Sequence, residues 1–401
     1  MTVLFQGLDE WFDYSTTSWR AAGANDELDP RHIPTIPNSY NSETYRWLAT
    51  RYRDIYLDLY RAVQADGTLI RTQPAHFTQE WAKHFDPITI WKQVCPLFVF
   101  GQALGGLDTR HRDLARAYTL GYGVPVMAID RMMDALPGAP STKHTWLFVL
   151  ASYALGLEQF QKVGAPAAAE RCFLRHTQEM YHFFWGEERE RYQLPKAVSA
   201  ATLTEYLEGD SRLLSSIFFP VTIEWAFLLA EGTLPPEFAP ALVALRRMRQ
   251  LNDEVVDADE DIRYGIVTFP YLHGLASPQG AQLAENVLTT WQLDRDEPSS
   301  PKMAELVAQR RLLLQEAGSF EAAAQFSMSC LRTVMQAVMR RLPAEAAFDV
   351  TLLVNQRVSH LFRLAQHGWK EIASVYQPEP FSPSSKSAVP LPVPWARTGP
   401  P

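Results

Sequence analysis

Long apolar-rich segments of helical period run through most of the chain, parted by Pro and Gly, with little strand-like alternation between them. The pattern predicts helices over about 43–66, 78–104, 108–134, 142–163, 166–192, 202–231, 236–263, 280–292, 301–341 and 345–373. Breakers fall between them at Pro137 to Pro140, Gly164 to Pro166, Pro235-Pro236 and Ser299 to Pro301. Most segments exceed the ~11–12-residue mean of globular helices. Many are apolar on every face, as the inner helices of a large bundle are. The expected fold is all-α, with one large helical domain over residues 43–375. Residues 1–42 read as an irregular N-terminal segment, and the Pro-rich stretch 376–401 reads as an extended tail.

Composition supports a buried core, since 47% of residues are hydrophobic and only 20% charged. A net charge of −8 argues against nucleic acid as a partner, because phosphate binding needs a basic face. Cys95, Cys172 and Cys330 are widely spaced and odd in number. They form neither a disulfide framework nor a zinc pattern, so a cytoplasmic location is expected. No uninterrupted apolar run reaches the ~18 residues of a membrane span. No basic region followed by an apolar stretch opens the chain, so no secretion signal is expected. Val3 to Gly7 matches the cleavage sequence of a picornaviral 3C protease and enters no functional argument.

The most informative stretch runs from Gln250 to Gly265. Asp253, Asp257 and Asp261 recur every four residues. Four residues advance a helix by about 400°, so each aspartate lies only about 40° from the last, one turn above it. Like charges at that spacing destabilise a bare helix. A divalent cation turns the repulsion into coordination, because hard oxygen ligands suit magnesium. The plain alternative is a solvated acidic face, the fate of most charge runs. Val255, Val256 and Ile262 make this a partly buried helix instead, and Gly265 ends it.

A second pair, Asp130 and Asp134, follows the apolar run from Val124 to Ile129 and precedes Pro137-Gly138. Both share a face near a helix C-terminus, where the macrodipole disfavours negative charge. A bound cation accounts for that placement better than stability does.

From Gln250 to Pro270 the chain resembles, without a gap, the second aspartate motif of squalene and phytoene synthases. Gln250, Leu251, Asp257, Glu260, Asp261, Arg263, Gly265 and Pro270 fall on matching positions. The stretch is also similar to trans-prenyl diphosphate synthases, with Gln250 ahead of Asp253, Glu254 and Asp257. Asp130 and Asp134 resemble the first motif in the Asp-x-x-x-Asp form of squalene and phytoene synthases. Thr202 to Leu207 resembles the Thr-x-x-Glu-Tyr-Leu opening of terpene cyclases, which an arginine that senses diphosphate follows. The usual sensor slot holds Asp210, and Arg212 lies two residues on.

The resemblance is thus to the class I terpene synthase superfamily of isoprenoid diphosphate enzymes. It implies a helical bundle around a central active-site cavity, and magnesium ions (three, with manganese able to substitute) held by Asp130, Asp134, Asp253, Asp257 and Asp261. It implies Arg212 and Arg263 as diphosphate contacts, and Trp91, Phe98, Phe218, Phe219 and Trp225 as cavity walls whose ring faces stabilise cations. For each ring singly, core packing is the plainer reading. The implied activity is ionisation of a linear prenyl diphosphate, with farnesyl diphosphate first, and cyclisation to a sesquiterpene hydrocarbon. A humulene-type product fits the divergent fungal cyclases. The implied state is a monomer or homodimer.

Alternatives stay open. Head-to-head condensation has the best second-motif match but lacks a tyrosine-rich counterpart. Chain elongation needs a second basic site, of which Gly105 to Arg110 is only a partial echo without the lysine. A non-enzymatic helical scaffold is the remaining reading.

Overall fold

The computed structural model describes residues 87–133, 143–164, 166–209, 218–296 and 300–342, with Leu353 and scattered positions between 48 and 66. The helix expected over 345–373, the N-terminal segment and the Pro-rich tail lie outside the described residues, apart from Leu353. Among the described residues all regular structure is helical. In chain order the helices are α1 (Pro87–Leu104), α2 (Thr109–Tyr118), α3 (Val124–Met133), α4 (Lys143–Lys162), α5 (Ala167–Glu190), α6 (Ala200–Glu208) and α7 (Phe218–Glu231). There follow α8 (Ala239–Val256), α9 (Ala258–Arg263), α10 (Phe269–Leu275), α11 (Gly280–Asp296), α12 (Pro301–Glu316) and α13 (Ser319–Arg341).

The expected all-α fold is present, with differences at five places. The helix expected over 202–231 stops at Glu208, where Gly209 turns to extended geometry with φ −70° and ψ 157°, and α7 starts at Phe218. The segment expected over 108–134 is α2 and α3 joined through a single π-helical turn, Thr119–Gly123. That turn packs backbone against backbone on α4: a Cβ added to Gly156 would stand 2.1 Å from the Gly121 Cα. Ser152 Oγ on α4 donates to the Leu120 carbonyl at 2.6 Å. The long helix expected over 301–341 is two helices, because Gly318 takes the left-handed φ of 68° between them. The helix expected over 236–263 is interrupted at Asp257. A short helix, α10, starts at Phe269 with Pro270 in its first turn, where proline loses no hydrogen bond.

Burial falls into two clusters, and α8 joins them. Ala241 to Met248 pack with α1, α2, α4, α5, α7 and α13. Leu251 and Val255 pack instead with Ile262, Phe269, Tyr271 and Trp291. The acidic end of α8 therefore emerges at the seam between the clusters. No helix among the described residues is long and apolar enough to cross a membrane.

Candidate functional site

The acidic run divides into two sets of carboxylates. Glu254 is 2% exposed and faces inward. Its Oε1 accepts from the Tyr206 hydroxyl at 2.6 Å and from Gln250 Nε2 at 2.8 Å. Its Oε2 accepts the Phe269 backbone N–H at 3.0 Å. Asp259 accepts from Arg310 at 3.2 Å and from Arg311 at 2.7 Å, both on α12. A buried carboxylate with its lone pairs filled is an anchor, because losing any partner leaves charge stranded in low dielectric. These anchors set the rotation of α8 and α9.

Asp253, Asp257 and Asp261 occupy the other side, the first exposed and the others half-buried. Asp257 leaves helical geometry, with φ −96° and ψ 10°. The one-turn step survives even so. The Asp257 N–H donates to the Asp253 carbonyl at 2.8 Å, and the Asp261 N–H donates to the Asp257 carbonyl at 2.8 Å. The spacing on which the metal reading rests thus crosses the helix break.

The end of α9 is stitched to the segment after α5. Gly265 has φ 83°, and a Cβ there would meet the Tyr192 ring at 2.7 Å. The Tyr192 N–H donates to the Gly265 carbonyl at 2.7 Å, and Arg191 donates to the Tyr264 carbonyl at 3.1 Å. Only glycine fits both the backbone and the approach of the ring. This close packing joins the segment after α5 to the end of α9.

The remaining expected site residues are spread more widely. Asp130 lies in the last turn of α3, while Asp134 and Arg212 lie outside the described residues. Arg263 donates to Asp294 Oδ1 through Nε at 3.0 Å and Nη2 at 2.9 Å, so its guanidinium is engaged with α11. Trp91, Phe98 and Trp225 are buried. Trp91 stacks on Phe98 at 5.7 Å. Trp225 donates its indole N–H to the Ala169 carbonyl at 3.0 Å and meets Tyr118 edge-on at 5.4 Å. These described contacts are those of core rings. Phe218 and Phe219 open α7.

Arg110, in the partial echo of an elongation site, is also engaged. It donates to Asp108, whose side chain caps α2.

Sequence reasoning passed over a charged cluster beside this seam. Arg246 on α8 reaches Glu179 at 3.4 Å, and Glu179 lies 3.2 Å from His176. Arg175 donates to Glu224 on α7 at 2.7 Å. Burial raises the Glu179 and Glu224 carboxyls, but His176 and the arginines outweigh it and hold both below the usual range. Burial also raises the Tyr122 phenol, against the opposing charges of Arg246 and Arg249. Tyr122 lies two turns before Asp130, and the two arginines lie one and two turns before Asp253. The turn ahead of α3 therefore lies within electrostatic reach of Arg246 and Arg249 on α8. The Arg175–Glu179 and His176–Glu179 spacings on α5 hinted at the cluster, whereas Glu224 and Arg246 lie far along the chain.

No family model matches the sequence. No curated protein matches it either. Solved structures do. A polyprenyl synthase from Caulobacter crescentus CB15, complexed with calcium and isoprenyl diphosphate, superposes with a TM-score of 0.60 at 14% identity, covering 79% of this chain and 98% of that one. A geranylgeranyl pyrophosphate synthase from Lactobacillus brevis ATCC 367 gives 0.59 at 13% identity, over 78% and 99%. A polyprenyl synthetase from Streptomyces coelicolor A3(2) gives 0.58 at 17% identity, over 79% and 98%. Identities this low speak to fold alone, and the chain has the all-α fold of the isoprenyl diphosphate synthases.

Proposed function

We propose that this chain is a magnesium-dependent enzyme that ionises a prenyl diphosphate and transfers the prenyl group to a second isoprenoid. The observation that carries the reading is the aspartate row of residues 253, 257 and 261, kept at one-turn steps across the break at Asp257 by two 2.8 Å backbone bonds. Its setting in this fold supports the same reading.

The donor set fits a hard divalent cation: carboxylate oxygens only, with Asp253 exposed and Asp257 and Asp261 half-buried. Asp130 and Asp134 would supply the facing ligands. Magnesium, when bound, neutralises the diphosphate leaving group and lowers the cost of breaking the C–O bond. Arg212 is assigned to the diphosphate oxygens, where a guanidinium fork matches phosphate geometry. Arg263 is a weaker candidate, given its pairing with Asp294. Glu254 positions the row without joining it.

Sequence motifs alone rank cyclisation ahead of transfer, and the fold comparisons favour the reverse order. Cyclisation to a sesquiterpene hydrocarbon is kept as a second reading on one observation. Arg110 is engaged by Asp108 within a helix cap, so the second basic site that elongation needs is not supplied there.

The test is incubation with geranyl, farnesyl or geranylgeranyl diphosphate and magnesium, with and without isopentenyl diphosphate. A longer diphosphate formed only with isopentenyl diphosphate supports chain elongation. A head-to-head hydrocarbon formed from two prenyl diphosphates supports the other form of transfer. A cyclic hydrocarbon from one substrate alone supports cyclisation. Absence of diphosphate release from every combination overturns the enzymatic reading.

A further inference from the structure

Cys172 and His176 lie one turn apart on α5, and Glu224 approaches them from α7. One ligand atom from each, a sulfur, a nitrogen and an oxygen, falls within 4.8 Å of the others. Cys172 and His176 are each 3% exposed. A positive charge already stands among the three donors. Arg175 Nη2 is 2.7 Å from Glu224 Oε2, 3.3 Å from His176 Nε2 and 3.8 Å from Cys172 Sγ.

We propose that Cys172, His176 and Glu224 form a three-ligand site for a zinc-class cation, which Arg175 fills with its own charge until the metal enters. Sulfur, imidazole and carboxylate are the ligands that zinc takes, and a thiolate selects against magnesium. The outer shell is in place as well. His176 Nδ1 lies 3.2 Å from Glu179 Oε2, which orients the ring so that Nε2 faces the site. Arg246 holds Glu179 in turn, at 3.4 Å. A carboxylate on the far nitrogen of a ligating histidine fixes its tautomer and raises its basicity.

Arg175 can leave, since its side chain is 52% exposed while Cys172 and His176 beneath it are buried and Glu224 is only 13% exposed. Entry of the metal converts the Cys172 thiol to a bound thiolate and releases its proton to solvent. No electron is transferred. The bound ion would tie α5 to α7. The site is independent of the prenyl diphosphate reading, because none of its ligands belongs to the aspartate clusters.

The experiment uses the full chain, stripped with a chelator, kept reduced with a phosphine and held in excess magnesium. Cobalt(II) is titrated in and followed by its thiolate-to-metal charge-transfer band, and zinc then competes it away. The expected result is a saturable thiolate band that zinc abolishes. Cys172→Ser should remove the band and weaken zinc binding by at least about 10-fold, since even outer-shell losses cost ~10–100-fold. Arg175→Ala should tighten zinc, because a competing cation is gone. Absence of a thiolate band in both the wild type and Arg175→Ala overturns the proposal. So does a band that persists in Cys172→Ser. The wild-type and Arg175→Ala titrations decide the matter even if Cys172→Ser fails to fold.

Discussion

The Tyr206 hydroxyl donates to Glu254 Oε1 at 2.6 Å, binding α6 to the acidic end of α8 across 48 residues of sequence. The bond joins the stretch that resembles the opening of a cyclase helix to the residue directly after Asp253. Tyr206→Phe keeps the ring and removes one donor from a buried carboxylate. Stability should fall by ~1–3 kcal/mol, the cost of leaving a buried acceptor short of a partner. Urea unfolding of wild type and variant measures it. A cost near zero would show that Gln250 and the Phe269 N–H suffice to anchor Glu254.

Asp257→Asn removes one charge from the aspartate row while preserving size. Turnover should fall at least about 100-fold, the scale of losing one electrostatic stabiliser. Melting temperature should be unchanged or raised, because the apo helix loses repulsion. Asp130→Asn should behave the same way. Near-normal turnover in both variants, measured as diphosphate release at saturating magnesium, would sink the two-cluster site.

Arg212 and Arg263 should separate in their effects. Arg212→Ala should lose most ionisation, whereas Arg212→Lys keeps charge without the fork and should retain part of it. Where the product is a hydrocarbon, poorer closure should admit water and shift it toward alcohol. Arg263→Ala should act mainly on stability, by ~1–3 kcal/mol, because the Asp294 side chain is only 7% exposed and loses a partner. Single-turnover kinetics and product profiles decide between them. Wild-type behaviour in Arg212→Ala would make Arg263 the better diphosphate contact.

The cap of α2 should give an acid-dependent stability. Burial pushes the Asp108 carboxyl up, but Arg110 and His111 outweigh it and hold it down to about 2, against an ordinary 3.8. A depressed folded value means the stabilisation is complete above 3.8 and is lost as pH falls through about 2. Asp108→Asn keeps a capping oxygen and should flatten the pH dependence in that window. Asp108→Ala should cost ~1 kcal/mol at neutral pH. Chemical denaturation of the three proteins from neutral pH to pH 2 tests both.

Local backbone geometry explains how much could be read from the chain. Helical period and the Pro and Gly breaks predicted the all-α fold, because both depend on neighbours within a turn or two. The four-residue recurrence of Asp253, Asp257 and Asp261 is equally local. Its one-turn step persists where the helix breaks, because the i to i+4 bonds bridge the break. Gly265 marked a helix end from sequence, and its φ of 83° meets that expectation.

What the chain could not reveal is which carboxylates of one acidic run are already occupied. Glu254 and Asp259 belong to the same acidic run as the aspartate row, yet they serve Tyr206, Phe269, Arg310 and Arg311. Arg263 looks free for diphosphate but meets Asp294, 31 residues on. The Cys172, His176 and Glu224 cluster matches no spacing pattern, since its third member comes from another helix. The sequence by itself determined the helices and the one-turn aspartate spacing, which follow from backbone geometry within a few residues. Only the tertiary structure decided which charges are spent on the protein's own partners, because those partners are brought together by packing between helices.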